Sequence, residues 1–161
     1  MDFRIIFASI FLLSFLNAAG QIEISAKSFE ADEKSGLSIL SGDVLVKKDK
    51  DILKANKLSI FLDKNNKPLR YEATQNPSFE LFLDGKSYKG RGDKFLYHAK
   101  SDIYEIIGNA FIEELETNKR LYGDKIIIDR QNQTYNVDGS SSKPVRFVFE
   151  LDEKELKKSQ K

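Results

Sequence analysis

The stretch GDKFLYHAKSDIYEIIGNAFIEE, residues 92–114, decides how this chain folds. A glycine opens a run of alternating side chains, a polar turn reverses the chain, and a second alternating run reaches Gly108, sixteen residues on. The same spacing recurs in residues 26–42 and 123–139, and residues 55–73 repeat it with two residues more. Four related hairpins therefore form an internal repeat, which has to be recognised before any other structural inference.

Apolar and polar side chains alternate through all four repeats. Because successive side chains of a strand point to opposite faces, the residues of one phase form a continuous apolar wall. The other phase is mostly Lys, Asp, Glu, Ser and Asn, and we interpret most of its apolar exceptions as scattered surface residues. These exceptions are Leu37, Ile39, Leu45, Ile52, Phe61, Phe82, Leu96, Ile103, Ile107, Phe111, Ile127 and Val148. The pattern predicts an antiparallel sheet with one buried and one solvated face.

The small residues that bound each repeat predict corners in this sheet. Glycine inside a strand usually marks a bulge, a corner or a close backbone approach, and a regular spacing favours corners. Short strands, each turned at a glycine, would then pass back and forth between two facing sheets. The sequence therefore predicts an all-β protein, a jelly roll or a flattened, taco-like roll.

Composition limits the kind of protein this can be. The chain has 161 residues, of which 40% are hydrophobic and 32% charged, as in ordinary globular proteins. Its 26 basic and 25 acidic residues are interspersed, so no clustered basic face supports nucleic-acid binding. There is no cysteine, which excludes disulfides, thiol catalysis and Cys-ligated metals.

The first twenty residues have the layout of a secretory signal peptide. One arginine precedes an apolar run broken only by serines, and small residues follow it, with cleavage expected near Ala19 or Gly20. The apolar run is shorter than the ~20 residues that a membrane span needs. We expect export, then a domain over residues 21–150 and a charged, flexible tail over residues 151–161.

No constellation of residues predicts catalysis or a cofactor. His98 stands alone at a hairpin end without partners at ligand spacing, and we interpret it as solvated. The string KGRGDK, residues 89–94, suggests a phosphate loop or an adhesive triplet, but a strand pattern follows it instead of a helix. Asp43, Asp93 and Asp124 hold equivalent repeat positions, which is typical of turn-forming residues. We predict a non-enzyme without cofactor or metal.

The apolar wall leaves two interpretations open. It can be a closed core, or two facing sheets can leave an apolar groove that holds lipid chains. Each methylene buried in such a groove contributes about 0.8 kcal/mol, so a lipid with several chains would bind tightly without a charged clamp.

The sequence resembles a known family, the LptA (OstA-like) proteins of lipopolysaccharide transport. The resemblance is carried, in order, by IEISAKSFEADEKSGLSILSGDVLVKK (22–48), ILKANKLSIFL (52–62), KGRGDKFLYHAKSDIYEIIGNAFIEE (89–114) and LYGDKIIID (121–129). It implies a β-taco jelly roll of about fifteen or sixteen antiparallel strands. It also implies a periplasmic protein that binds the acyl chains of lipopolysaccharide inside the roll.

The resemblance also implies partners, namely copies of the chain stacked head to tail and LptC-like and LptD-like proteins. Unpaired edge strands at the two ends of an open roll could form these joints by strand addition. The edge residues are expected to be Ile22, Ile24, Phe29, Val145, Phe147 and Phe149. The residues expected to line the groove are Phe29, Leu58, Ile60, Phe79, Leu81, Phe95, Tyr97, Tyr104, Ile106, Ile126, Ile128 and Phe147.

Two other functions remain open at this stage. An LptC-like adaptor of the same pathway would retain the N-terminal segment as a membrane anchor. A closed jelly roll acting as an adhesin or carbohydrate-binding module would have a fully packed core and no apolar groove.

Overall fold

The computed structural model describes residues 21–83 and 85–151, so the predicted signal peptide and nearly all of the tail lie outside the described residues. Within these ranges no helix is long and apolar enough to cross a membrane. The described residues form twelve antiparallel strands. They are β1 Ile22–Ser25, β2 Ser28–Asp32, β3 Leu37–Lys48, β4 Asp51–Leu62, β5 Pro68–Thr74, β6 Ser78–Leu83, β7 Lys86–Arg91, β8 Lys94–His98, β9 Ile103–Glu114, β10 Lys119–Asp129, β11 Thr134–Asp138 and β12 Arg146–Val148.

Four of these strands, β3, β4, β9 and β10, are long enough to belong to two half-sheets at once. Their first half-sheet has the order β2-β3-β4-β5-β8-β9-β10-β11. Their second half-sheet has the order β1-β3-β4-β6-β7-β9-β10-β12. The inner faces of the halves pack together, as the rings of Phe79 and Phe95 show with centroids 5.5 Å apart. The all-β, antiparallel jelly-roll prediction is confirmed.

The strands differ from the prediction in length, because the expected short strands do not all end at their glycines. The backbone runs through Gly42, Gly108 and Gly123 with its ladder continued on both sides. The bend is taken up by register shifts, between Ser41 and Val44 in one pair and between Gly123 and Lys125 in another. If each of the four long strands is counted once in each half-sheet, the twelve strands give sixteen strand segments, eight in each half-sheet.

Three of the corners share one backbone conformation and lie thirty-three residues apart. Both residues have positive φ at Gly42–Asp43 (78° and 45°), Gln75–Asn76 (63° and 61°) and Gly108–Asn109 (74° and 47°). Glycine and asparagine tolerate this left-handed region better than most residues. Opposite the last corner, Asp93 donates its amide to the carbonyls of Ile107 and Gly108, at 3.1 and 2.8 Å.

Side chains fix these corners as well. Lys27 pairs with Asp43 at 2.7 Å, and Asn109 donates to both oxygens of Asp93 at 3.0 and 3.2 Å. Asp43 and Asp93 therefore hold corners, as their repeated position predicted.

The core lies between the half-sheets and follows the predicted phase. Apart from Pro68 and Pro77, every buried apolar side chain of the described residues belongs to the inward phase or to the small residues that bound the repeats. These side chains are Leu40, Val44, Ala55, Leu58, Ile60, Ala73, Ile106, Ala110 and Ile126. They form two clusters, and Phe95 packs against both, so the core is continuous along the roll.

Candidate functional site

The interior of the roll is built from transverse rows, each made of side chains that are register partners on successive strands. The row nearest the corners in the first half-sheet, which we call the corner row, is entirely apolar. It consists of Phe29, Leu40, Leu58, Ala73, Phe95, Ile106, Ile126 and Val137. All its members between Phe29 and Val137 are almost fully buried except Phe95, which is half-buried, so this row forms the floor of the interior.

One step farther from the corners lies a second row of the same half-sheet, the tyrosine row. It consists of Ala31, Ser38, Ile60, Tyr71, Tyr97, Tyr104, Ile128 and Tyr135. The ring of Tyr97 contacts those of Tyr71 and Tyr104, with centroid separations of 5.9 and 4.4 Å. Cross-strand aromatic contacts of this kind stabilise a sheet face.

The tyrosine hydroxyls meet polar groups at the hairpin tips. Tyr97 donates its hydroxyl to Asp102 at 3.2 Å. Burial, with the neighbouring Tyr104 and Asp102, raises the pKa of Tyr97, and burial also raises the pKa of Tyr104. Both side chains therefore stay neutral phenols and present an apolar ring with a polar tip.

The second half-sheet faces these rows with an apolar row of its own, the facing row. It consists of Ile24, Val46, Leu53, Phe79, Gly90, Ile112, Leu121 and Phe147. The ring of Phe79 occupies the space that a side chain at Gly90 would fill, since a Cβ built there overlaps the ring. This packing keeps the row continuous across the glycine.

Beyond the facing row, the inward phase turns polar at the tips of the second half-sheet. We call this the charged row, and it contains Ile22, Lys48, Asp51, Leu81, Tyr88, Glu114 and Lys119. Glu114 accepts hydrogen bonds from Thr117 at 2.7 Å and from Lys86 at 3.0 Å, and these bonds lower its pKa. The interior thus changes from apolar at the corners to aromatic and charged at the hairpin tips farthest from the corners, which we call the mouth.

The twelve residues predicted to line a groove all lie in this interior, at three depths. Leu58, Ile106 and Ile126 of the corner row and Ile60 of the tyrosine row are almost fully buried. The half-buried ones are Phe29, Phe79, Phe95, Tyr97, Tyr104 and Ile128. Leu81 and Phe147 are exposed, at 39% and 56%.

Sequence reasoning left several interior residues out of the candidate site. Tyr71, Leu53, Ile112 and Leu121 lie in the predicted inward phase, and that phase was the signal that could have included them. The charged row was missed because the inner face was predicted from apolar side chains, and most side chains of this row are polar.

The two ends of the roll carry strands with one unpaired side within the described ranges. β1 and β2 pair only with β3, and β11 and β12 pair only with β10. At the C-terminal end large apolar side chains are exposed, among them Val145, Phe147 and Phe149 at 45%, 56% and 49%. At the N-terminal end Ile22, Ile24 and Phe29 are half-buried.

His98 is not the solvated side chain that the sequence suggested. It ends β8 on the outer face, half-buried, with Nε2 2.7 Å from Glu105 Oε1. Lys125 lies 2.6 Å from the other oxygen of Glu105. Burial raises the pKa of Glu105, but the hydrogen bonds from Lys125 and His98 outweigh it and leave the pKa below its ordinary value. In the described part of the chain, no group of three His, Cys, Asp or Glu could hold a metal.

Comparison with known proteins identifies what this arrangement is similar to. Residues 23–134 match the model of a family described as LptA/(LptD N-terminal domain) LPS transport protein. Among solved structures, the chain is similar to LptH from Pseudomonas aeruginosa, described as the LptA homologous periplasmic component of the conserved lipopolysaccharide transport device. The TM-score is 0.66 at 23% identity, covering 82% of this chain and 95% of that one, a likeness that shows the fold. No curated protein matches this chain.

Proposed function

We propose, because this chain belongs to the family of LptA and LptD N-terminal domain lipopolysaccharide transport proteins, that its interior shields lipid A acyl chains on the way from the inner to the outer membrane. The family is one of transport proteins and not of enzymes. The protein would be a passive component of a periplasmic bridge, and the energy for transport would be supplied elsewhere.

The observation that carries the proposal is the change of polarity inside the roll. The corner row and the facing row offer only apolar groups, whereas the tyrosine row and the charged row bring hydroxyls, lysines and carboxylates to the mouth. This change from apolar to polar rows matches an amphipathic lipid whose acyl chains lie toward the floor and whose polar head lies at the mouth. Each buried methylene contributes about 0.8 kcal/mol, so ten of them contribute roughly 8 kcal/mol.

The depth of each lining residue suggests its part in binding. The half-buried side chains, such as Phe79, Phe95 and Tyr97, can contact an acyl chain with little rearrangement. The four almost fully buried residues, three in the floor and Ile60 in the tyrosine row, contact lipid only if the half-sheets part. Leu81 and Phe147 stand at the mouth and at one end, where a chain would enter or leave the roll.

The partners proposed for the ends of the roll are LptC-like and LptD-like proteins and further copies of this chain. Each end offers backbone N–H and C=O groups on an unpaired strand side, and strand addition would satisfy them. The exposed apolar side chains at 145, 147 and 149 would be covered in such a joint. Head-to-tail stacking would also join the apolar interiors of neighbouring subunits.

The proposed location is the periplasm, with the leader removed near Ala19 or Gly20. An LptC-like adaptor would instead retain residues 1–20. N-terminal sequencing of the protein recovered from cells separates the two, since a mature N-terminus near residue 20 or 21 supports the bridge protein and an intact Met1 supports the adaptor.

Site-specific photocrosslinking in cells that make lipopolysaccharide tests the function. The probe is placed at Tyr97 or Ile128, inside the roll, and at Leu96 as the matched control, because Leu96 is half-buried on the opposite face of the same strand. We expect lipid adducts at the two inner positions only. A folded protein with no adduct at either position would support a closed core and contradict the proposal.

A further inference from the structure

A cleft of about 340 Å³ lies outside the groove, on the outer face of the second half-sheet. It crosses β4, β6, β7 and β9 near the corners. A transverse row of register partners runs along it, and we call this row the outer row. The outer row consists of Lys54, Ser78, Arg91, Phe111, Tyr122 and Arg146.

The floor of the cleft separates it from the interior. Its middle holds the small side chain of Ser78 and the backbone of Gly90. On the inner side of the sheet the ring of Phe79 lies against Gly90 and closes that path. Ile52 and Phe111 add apolar walls, so the cleft combines an apolar surface with polar edges.

Two cationic side chains at the cleft are available to bind an anion. The carboxylates on its rim are already engaged, Glu80 with Lys89 at 3.9 Å and Glu113 with Arg120 at 3.2 Å. Lys54 and Arg91 have no carboxylate partner within the ranges that the structure describes. They flank Ser78 in the row, two strand spacings or about 10 Å apart.

Stacking holds one of these cations in place. The guanidinium of Arg91 lies over the ring of Phe111, 4.9 Å from its centroid, and this ring contacts Tyr122 at 4.9 Å. A guanidinium stacked on an aromatic face keeps its N–H edges free to bind an anion, and its orientation is already fixed. Arg146 stacks on Tyr122 at 4.1 Å in the same way but does not line the cleft.

We propose that this cleft binds a phosphorylated sugar. The phosphate is held between Lys54 and Arg91 above Ser78, whose hydroxyl donates a further hydrogen bond, and the sugar lies against Ile52, two residues along β4 from Lys54 on the same face. Arginine matches the geometry of phosphate oxygens, and two cations match its double charge. A cleft of this size is at the small end of ligand sites and fits one hexose unit.

An NMR titration with glucose 1-phosphate tests this site, with glucose and inorganic phosphate as separate comparison ligands. We expect saturable shifts of the amides of Ser78, Gly90 and Arg91, with tighter binding of glucose 1-phosphate than of either part alone. Absence of saturable shifts, or equal affinity for inorganic phosphate, would overturn the proposal.

Two arginine variants sharpen the test. Arg91→Gln should weaken binding about tenfold, the effect of one charge-assisted hydrogen bond, and Lys54→Gln should weaken it in the same direction. Arg146→Gln is the matched control, since it removes an exposed, ring-stacked arginine of the same row outside the cleft, and it should change the affinity less than about twofold. Equal losses in the two arginine variants would overturn the proposal in favour of diffuse charge. Lipid adducts at Tyr97 should persist in Arg91→Gln, so failure here is distinguishable from failure of the groove.

Discussion

The corner at Gly108 predicts a specific loss of stability when it receives a side chain. Gly108 has a φ of 74°, and a Cβ built there overlaps the carboxylate of Asp93. Asp93 cannot move freely, because its amide is bonded to Ile107 and Gly108 and its side chain to Asn109. For Gly108→Ala we expect about 1–2 kcal/mol from the left-handed backbone, and about 1 kcal/mol more from displaced hydrogen bonds.

Gly85 is the matched control for this prediction. It has nearly the same φ, 77°, but a Cβ built there meets nothing within 4 Å. Urea denaturation should show a larger loss of unfolding free energy for Gly108→Ala than for Gly85→Ala, with an unchanged m-value. If the two variants lose equal stability, the close approach of Asp93 to Gly108 does not contribute to the loss, and the reasoning is refuted.

Three further predictions concern the interior, the outer face and the ends. Ile128→Asp should abolish lipid crosslinking from Tyr97, because it places a charge in the proposed groove. Ile127→Asp, on the outer face, should preserve the crosslinking, and equal effects of the two variants would contradict the assigned faces. The pKa of Glu105 in the folded protein lies below its ordinary value. Its carboxylate therefore stabilises the fold at pH values above the unfolded pKa, and this contribution is lost as the pH falls through the folded pKa. The stability advantage of the wild type over Glu105→Gln should therefore shrink below about pH 4.5, and an advantage that is constant from pH 7 to 3 would contradict this. Phe149→Asp should weaken self-association in sedimentation velocity. Leu83→Asp should not weaken it, because Leu83 is equally exposed at 49% but lies away from the ends. Equal weakening by both variants would place the joint between subunits elsewhere.

Alternation in the sequence predicted the fold and the inner face because it depends only on the local geometry of a strand. Ile126, Ile127 and Ile128 illustrate this, since three identical side chains are assigned to opposite faces by position alone. The corner at Gln75–Asn76 was obscured because glycine is absent there, yet asparagine supports the same positive φ.

How deeply each inner residue is buried could not be predicted in this way. Ile60 and Tyr97 share one row, but Ile60 is fully buried and Tyr97 only partly. That difference depends on how far apart the half-sheets lie, which alternation does not encode. The arginines that cover Phe61 and Phe111 on the outer faces were equally invisible, because each contact joins different strands.

Intermolecular nuclear Overhauser effects between isoleucine methyl groups and lipid acyl chains test the central claim most directly. Ile127 and Ile128 are adjacent and both half-buried, but they lie on opposite faces of β10. In the lipopolysaccharide-loaded protein, we expect effects from acyl-chain protons at Ile128 and none at Ile127. Effects of equal strength at both residues, or at Ile127 alone, would contradict an acyl-chain site inside the roll.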